Sequence, residues 1–195
     1  MSLKLKNNYF LLRHGKNIHQ TVKKDIVYEW PDDPEPCVLL EEGKAEAEAA
    51  GYVLKNQNIN LIFCSDICRT KQTAEIVAEI IGFSKNKIIY DARLRDINWG
   101  ILGGKTKKQA WEFFNGDPLR KFEQAVPQGE SWNDCQSRML NLLTEIENKY
   151  AGNNILIVSH GDPLWLLECY FKGLNYEEAL KYRERLIKTG EVRKL

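Results

Sequence analysis

The sequence predicts an α/β fold: a single three-layer α/β/α domain over residues 1–195, with a mostly parallel central sheet, helices on both faces and a small lid insertion. Three observations carry that expectation. Short apolar runs alternate with segments of helical period along most of the chain. A length of 195 residues suits one domain with a core of its own. Two stretches, at about 23–42 and 97–129, break the alternation and are rich in Pro, Gly and aromatic residues.

The elements are predicted in order. Tyr9–Leu12 is a short apolar run that reads as a buried strand. From Lys44 to Lys55, Ala45, Ala49, Tyr52 and Val53 recur at helical spacing and are expected to face the core. Leu61, Ile62 and Phe63 form a second strand. Thr70–Ile81 places Ala74, Val77, Ala78 and Ile81 on one helix face, with Gly82 able to close it. Lys87–Tyr90 is a third, short strand. Ser131 and Asp134 form a capping pattern before Trp132, Cys135, Met139, Leu142, Leu143 and Ile146, a long amphipathic helix. Ile155–Val158 follows the turn Gly152-Asn153-Asn154 as a buried strand. Asp162 then reads as an N-cap with Pro163 at the first helical position. Asn175–Lys188 is a last helix, with acids early and bases late, and Val192–Leu195 a terminal edge strand.

Composition excludes several classes. Apolar residues make up 43% and charged residues 28%, values of a globular chain. Lys and Arg number 28 against 27 Asp and Glu, a formal charge of +1, so neither nucleic acid nor a membrane surface is an expected partner. No run approaches a membrane span, and Tyr9–Leu12 is too short for a signal-peptide core. The five cysteines are scattered, which predicts reduced thiols and a cytoplasmic location. The three histidines do not cluster with cysteine, so no metal is expected. Oligomeric state is not legible.

In open α/β sheets, ligands bind outside the carboxyl ends of the strands. Those ends carry Arg13, His14 and Gly15; Ser65, Asp66 and Arg69; Arg93, Arg95 and Asp96; and Ser159, His160 and Gly161. Two histidines and several arginines in equivalent positions describe a pocket for an anion. The constellation resembles the histidine phosphatase superfamily, the phosphoglycerate-mutase-like proteins. Arg13-His14-Gly15 matches the family's R-H-G. The segment from Ser65 through Arg69 to Gln72-Thr73-Ala74 matches S-x-x-x-R-x-x-Q-T-A. Leu94-Arg95-Asp96 to Gly100 resembles L-x-E-x-x-x-G, with Asp for Glu. Gly129-Glu130-Ser131 matches G-E-S, and Val158-Ser159-His160-Gly161 matches V-S-H-G.

The resemblance implies a metal-independent, cofactor-free phosphatase that hydrolyses a small phosphorylated metabolite through a phosphohistidine on His14. Arg13, Arg69 and His160 would hold the phosphate, with Asn17 and Gln20 as further hydrogen-bonding groups. At ~4 Å two unit charges attract by about 4 kcal/mol at an effective dielectric near 20, and a guanidinium can donate two bonds to one phosphate. The same cations disfavour a protonated His14, which must be neutral to attack. Asp96 would protonate the leaving alcohol; Asp162 is the other candidate donor, with helix capping as its competing explanation. The rival readings are phosphoglycerate-mutase-type transfer and a noncatalytic phosphate-binding module. The family's R-H-G-E-T reads Arg13-His14-Gly15-Lys16-Asn17 here, so Lys16 is expected to add positive charge beside the pocket. His19 is expected at the surface. Arg93 and Arg95 are expected to be solvated or paired with Asp91 or Asp96. Glu130, Arg138 and the tryptophans of the second excursion are expected to be structural.

Overall fold

The computed structural model describes residues 3–31 and 37–195, so Pro34 and Pro36 of the first excursion lie outside the described residues. Among the described residues five strands form one sheet: β1 (Asn8–Arg13), β2 (Leu61–Cys64), β3 (Ile89–Tyr90), β4 (Asn154–Ser159) and β5 (Val192–Lys194). Their order is β3-β2-β4-β1-β5. The first four pair in parallel, and β5 runs antiparallel to β1 at the edge.

Alternation along the strands builds two cores. Tyr9, Leu11, Phe63, Ile155 and Ile157 point to one face, where Met139, Leu142, Leu143 and Ile146 of α5 (Trp132–Lys149) and Leu164 and Leu167 of α6 (Gly161–Phe171) cover them. Phe10, Leu12, Ile62, Leu156 and Val158 point to the other. There they meet Ala50 and Leu54 of α1 (Glu41–Leu54) and Ala74, Val77 and Ala78 of α2 (Cys68–Ile81). Both faces of the central strands are buried, which is why they read as continuous apolar runs. The predicted three-layer fold is the one observed.

Caps stop and start the helices as the sequence suggested in two cases. Gly82 closes α2 in the left-handed region, at φ 70°. Ser131 and Asp134 form the reciprocal capping box of α5. Three elements differ. In α1 the buried face is Gly43, Ala47, Ala50, Gly51 and Leu54, while Tyr52 and Val53 are exposed. The small residues are core because α1 lies so close to α2 that a Cβ on Gly51 would sit 2.8 Å from the Ile80 side chain. The third strand covers only Ile89–Tyr90, because a 3-10 turn over Lys85–Lys87 takes its start. The last helix, α7 (Tyr176–Tyr182), ends early in a 3-10 turn over Arg183–Arg185. Beyond it Ile187 is buried, and its carbonyl accepts from Arg13 Nη1 at 3.0 Å, so the chain must leave the helix to reach the sheet.

The two excursions make one cap. Val27 N–H donates to Lys105 O at 2.9 Å and Gly104 N–H to Val27 O at 2.8 Å, joining them as a short ladder. Val27 packs with Leu102, Ala110, Phe114 and Val126 in a core separate from both sheet cores. The second excursion holds α3 (Lys107–Phe113) and α4 (Arg120–Glu123). Phe114 and Phe122 of this excursion are buried in packing, whereas Trp99 and Trp111 line the cavity beneath the cap, Trp111 being 45% exposed.

Candidate active site

Parallel pairing decides where the histidines meet. Arg13 is in register with Ser159 at the carboxyl ends of β1 and β4, so the next residues, His14 and His160, stand side by side. Their ring centroids are 5.2 Å apart. Each neighbouring loop is tied to this point. The Gly15 amide donates to Thr73 Oγ1 of α2 at 3.0 Å, and Thr73 in turn donates to the Arg69 carbonyl at 2.8 Å. Gly15 has no room for a side chain: a Cβ there would lie 2.1 Å from the Gly43 carbonyl oxygen.

His14 is buried, and its Nδ1 lies 2.8 Å from the Gly15 carbonyl oxygen. A carbonyl only accepts, so Nδ1 carries the proton and Nε2 keeps its lone pair. Burial lowers the His14 pKa well below the ordinary value, and the Arg69 and Arg13 guanidinium groups add to the shift. The lowered pKa favours the neutral ring. His160 is shielded from solvent behind it and is held neutral by the same causes, burial first. Its Nε2 is 3.0 Å from Ser65 Oγ, and its Nδ1 faces Asp96 Oδ2 at 3.6 Å.

Arg69 occupies the first turn of α2 and is almost fully buried, with its guanidinium 5.2 Å above the Tyr28 ring. One of its nitrogens is 3.7 Å from Asp96 Oδ2. Arg13 projects past Gly161, where a Cβ would sit 3.1 Å from the guanidinium carbon. Asp96 is held from behind: Ser159 Oγ donates to the Leu94 carbonyl at 2.7 Å, and Arg138 donates to the carbonyls of Arg93 and Asp96 at 2.6 and 2.8 Å. Glu130 grips Arg138 through both oxygens. Burial raises the Asp96 pKa above the usual carboxylate range; Arg69 opposes the shift and the Asp162 charge adds to it. His14, Arg13, Arg69 and Asp96 thus converge on one cavity of about 410 Å³ beneath the cap.

The model of the histidine phosphatase superfamily (branch 1) matches residues 9–191. The chain belongs to this superfamily. Among curated relatives, it is 32% identical over 173 residues to a probable phosphoglycerate mutase (GpmB) of Klebsiella pneumoniae, covering 85% of this chain and 74% of that protein. It is 29% identical over 182 residues to the corresponding protein of Erwinia tasmaniensis, covering 89% and 80%. Among solved structures, Bacillus stearothermophilus YhfR superposes with a TM-score of 0.76 at 28% identity, covering 96% of this chain and 90% of that one. A mycobacterial glucosyl-3-phosphoglycerate phosphatase superposes at 0.78 with 23% identity, covering 96% and 88%, a likeness of fold.

Not every residue of this histidine phosphatase-superfamily site sits as the sequence suggests. Asp162 is not a helix cap: α6 begins at Gly161 with His160 as N-cap. The Asp162 carboxylate instead binds Arg183 at 2.7 Å and accepts from Trp132 Nε1 at 3.3 Å. Burial pushes Asp162 up, but Arg183, Lys121 and Arg13 outweigh it and hold the pKa below the usual range. Lys16 points away from the cavity and bonds Glu42 at 2.5 Å. His19 is half-buried and lines the cavity, edge-on to Tyr28 at 5.8 Å. Arg95 pairs with Asp66, not with Asp91 or Asp96, whereas Arg93 does pair with Asp91.

Asn17 and Gln20 both line the cavity. Asn17 caps a single 3-10 turn, and its Oδ1 accepts from the His19 amide at 2.8 Å. That fixes the amide orientation and leaves the buried Nδ2 without a partner. Gln20 spends its Oε1 on the Asn17 amide at 2.9 Å. Sequence reading missed Tyr28, Lys121 and Arg183 as cavity residues. No local pattern marks them; they arrive from the cap and from the turn after α7.

Proposed function

We propose that this protein is a metal-independent phosphatase that hydrolyses a small phosphomonoester through a phosphohistidine on His14. The observation that carries the reading is the His14 hydrogen bond: Nδ1 is tied to the Gly15 carbonyl, which leaves Nε2 with a free lone pair on a ring that lines the same cavity as Arg13 and Arg69. Arg13, Arg69 and the Asn17 amide bind the phosphoryl oxygens, and His160 adds a donor from beneath. Nε2 attacks phosphorus, the ester P–O bond breaks, and the departing alkoxide takes the Asp96 proton. The Asp96 carboxylate then takes a proton from water, whose oxygen attacks phosphorus. The P–N bond breaks, its electron pair returns to Nε2, and phosphate leaves. Guanidinium groups in a buried site supply the charge stabilisation.

Asp96 is the better donor of the two carboxylates on chemical grounds. Burial raises the Asp96 pKa and so favours its protonated form, whereas the contact with Arg183 helps to lower that of Asp162. The names of two structural neighbours, the mycobacterial phosphatase and the alpha-ribazole phosphatase of Shigella flexneri, accord with a phosphatase reading. The names of the curated relatives favour a second reading, phosphoglycerate isomerisation on the same histidine.

One experiment separates these. The protein and a His14→Ala variant are incubated with 4-nitrophenyl phosphate and with each phosphoglycerate, with and without EDTA. The expected result is phosphate release by the native chain alone, unchanged by EDTA. Isomer exchange without phosphate release would select the mutase reading. Tight phosphate binding with no turnover of any ester would select a binding module.

A further inference from the structure

Ser65 follows β2 directly, is fully buried, and no step of the proposed reaction uses it. The sheet carries it to His160. Cys64 is in register with Val158, and the Ser65 amide donates to the Val158 carbonyl at 3.0 Å, so Ser65 lies beside the Ser159–His160 step. Its main chain is also held from α2, where Thr70 Oγ1 donates to the Ser65 carbonyl at 2.9 Å. The hydroxyl thus meets the His160 ring from a rigid support, with Oγ 3.0 Å from Nε2.

The hydrogen in that contact can be assigned. Among the described residues Ser65 Oγ has two partners, the Ile67 amide at 3.5 Å and His160 Nε2 at 3.0 Å. An amide only donates, so the hydroxyl hydrogen is left for Nε2. If Nε2 were protonated, that hydrogen would be buried without an acceptor, which disfavours the arrangement. Nε2 therefore accepts, and the single N–H of a neutral His160 ring lies on Nδ1.

Nδ1 is the nitrogen that matters for an anion. It is buried and makes no hydrogen bond among the described residues. It faces Asp96 Oδ2 at 3.6 Å, and Arg69 approaches the same oxygen at 3.7 Å. A lone pair at that point would repel a phosphoryl oxygen, whereas an N–H attracts it. The two histidines then carry their protons on the same atom with opposite results. In His14 the Gly15 carbonyl takes the Nδ1 proton and leaves a lone pair on Nε2. In His160 the Ser65 hydroxyl takes the Nε2 lone pair and leaves a donor on Nδ1.

We propose that Ser65 is a positioning residue: its hydroxyl donates to His160 Nε2 and keeps the ring proton on Nδ1, where it is presented to the phosphoryl group at His14. The tautomer is a property of the free protein; its use rests on the phosphoryl site proposed above.

Long-range ¹H–¹⁵N correlation spectra of the full chain with ¹⁵N-labelled histidine rings read the tautomers without turnover. The sequence has three histidines, so His14→Gln and His19→Gln assign all the rings. In the native chain at about pH 7.5, where the lowered pKa favours the neutral ring, His160 should show a protonated Nδ1 and an unprotonated Nε2. Ser65→Ala should give a mixture of tautomers, because a protonated Asp96 can then donate to Nδ1. Inorganic phosphate should shift the native His160 Hδ1 signal, and it should bind Ser65→Ala about tenfold more weakly, the worth of one hydrogen bond to a charged group. A protonated Nε2 in native His160, which needs no variant to detect, would overturn the proposal and leave the role of His14 standing. An unchanged tautomer in Ser65→Ala would overturn the assignment to Ser65. A phosphate response at His14 with none at His160 would overturn the presentation of that proton. No response at either ring would overturn the phosphoryl site beneath it.

Discussion

At the scale of single residues, the proposed mechanism rests on two protons. His14 carries one on Nδ1 because the Gly15 carbonyl can only accept it, and burial shifts Asp96 toward its protonated form by disfavouring its anion. Asp96 is shorter than the family's glutamate by one methylene, and its loop is drawn in by Ser159 and Arg138. Asp96→Asn should slow phosphoenzyme formation from an alkyl phosphate by about 10²–10⁴-fold, the usual worth of a general acid. Loss with 4-nitrophenyl phosphate should be far smaller, because nitrophenolate leaves without a proton. In rapid-quench measurements on the native chain, phosphorylation should fall as pH rises through the elevated Asp96 pKa, and Asp96→Asn should lack that limb. Asp162→Asn should retain it. The opposite assignment of the limb would make Asp162 the donor.

At the scale of elements, the cap is the part that can fail alone. Its core, around Phe114, is separate from both sheet cores. Phe114→Ala should remove about 3–5 kcal/mol of packing, more than so small a cluster can lose and stay closed. Hydrogen exchange should then accelerate over 97–129 and 26–28 while β4 stays protected; uniform acceleration would show the cap and sheet to be one cooperative unit. The strands and the long helix α5 were legible because burial on both faces and a 3.6-residue period leave local marks, as Ile155–Val158 and the Trp132–Ile146 stripe do. The core face of α1 was not, because Gly43 and Gly51 are core through close approach, Gly43 to the Lys16 backbone and Gly51 to Ile80 of α2, and not through size. His14, Arg69 and His160 were legible as strand-end and helix-start residues. Tyr28, Lys121 and Arg183 were not, because tertiary packing of the cap and of the α7 turn brings them in, and neither leaves a period. Asp162 has the local pattern of a cap, and only the Arg183 contact reveals its other use.

At the scale of the whole molecule, a nearly neutral chain places five Lys or Arg side chains around one cavity and two buried histidines at the strand ends, and stability is tied to those histidines. His14 and His160 are neutral when folded, with pKa values well below the ordinary one. The unfolded chain binds protons on them below about pH 6.5 and the folded chain does not, so stability falls as pH drops from there. The slope is up to about 1.4 kcal/mol per pH unit for each ring. Asp96 acts with the opposite sign: its raised pKa lets the folded chain keep a proton that the unfolded chain loses, so its contribution is present at low pH and is lost as pH rises through the folded-state pKa. Two rings outweigh one carboxyl, so urea midpoints should fall between pH 7 and 5, and His14→Gln should flatten the fall; a midpoint that rises would contradict neutral buried histidines. The account as a whole turns on where phosphorus becomes attached. Rapid quenching with a ³²P-labelled phosphomonoester should give a base-stable, acid-labile adduct on the peptide that contains His14, absent from His14→Ala. Turnover that persists in His14→Ala, or a label on any other residue, would contradict it.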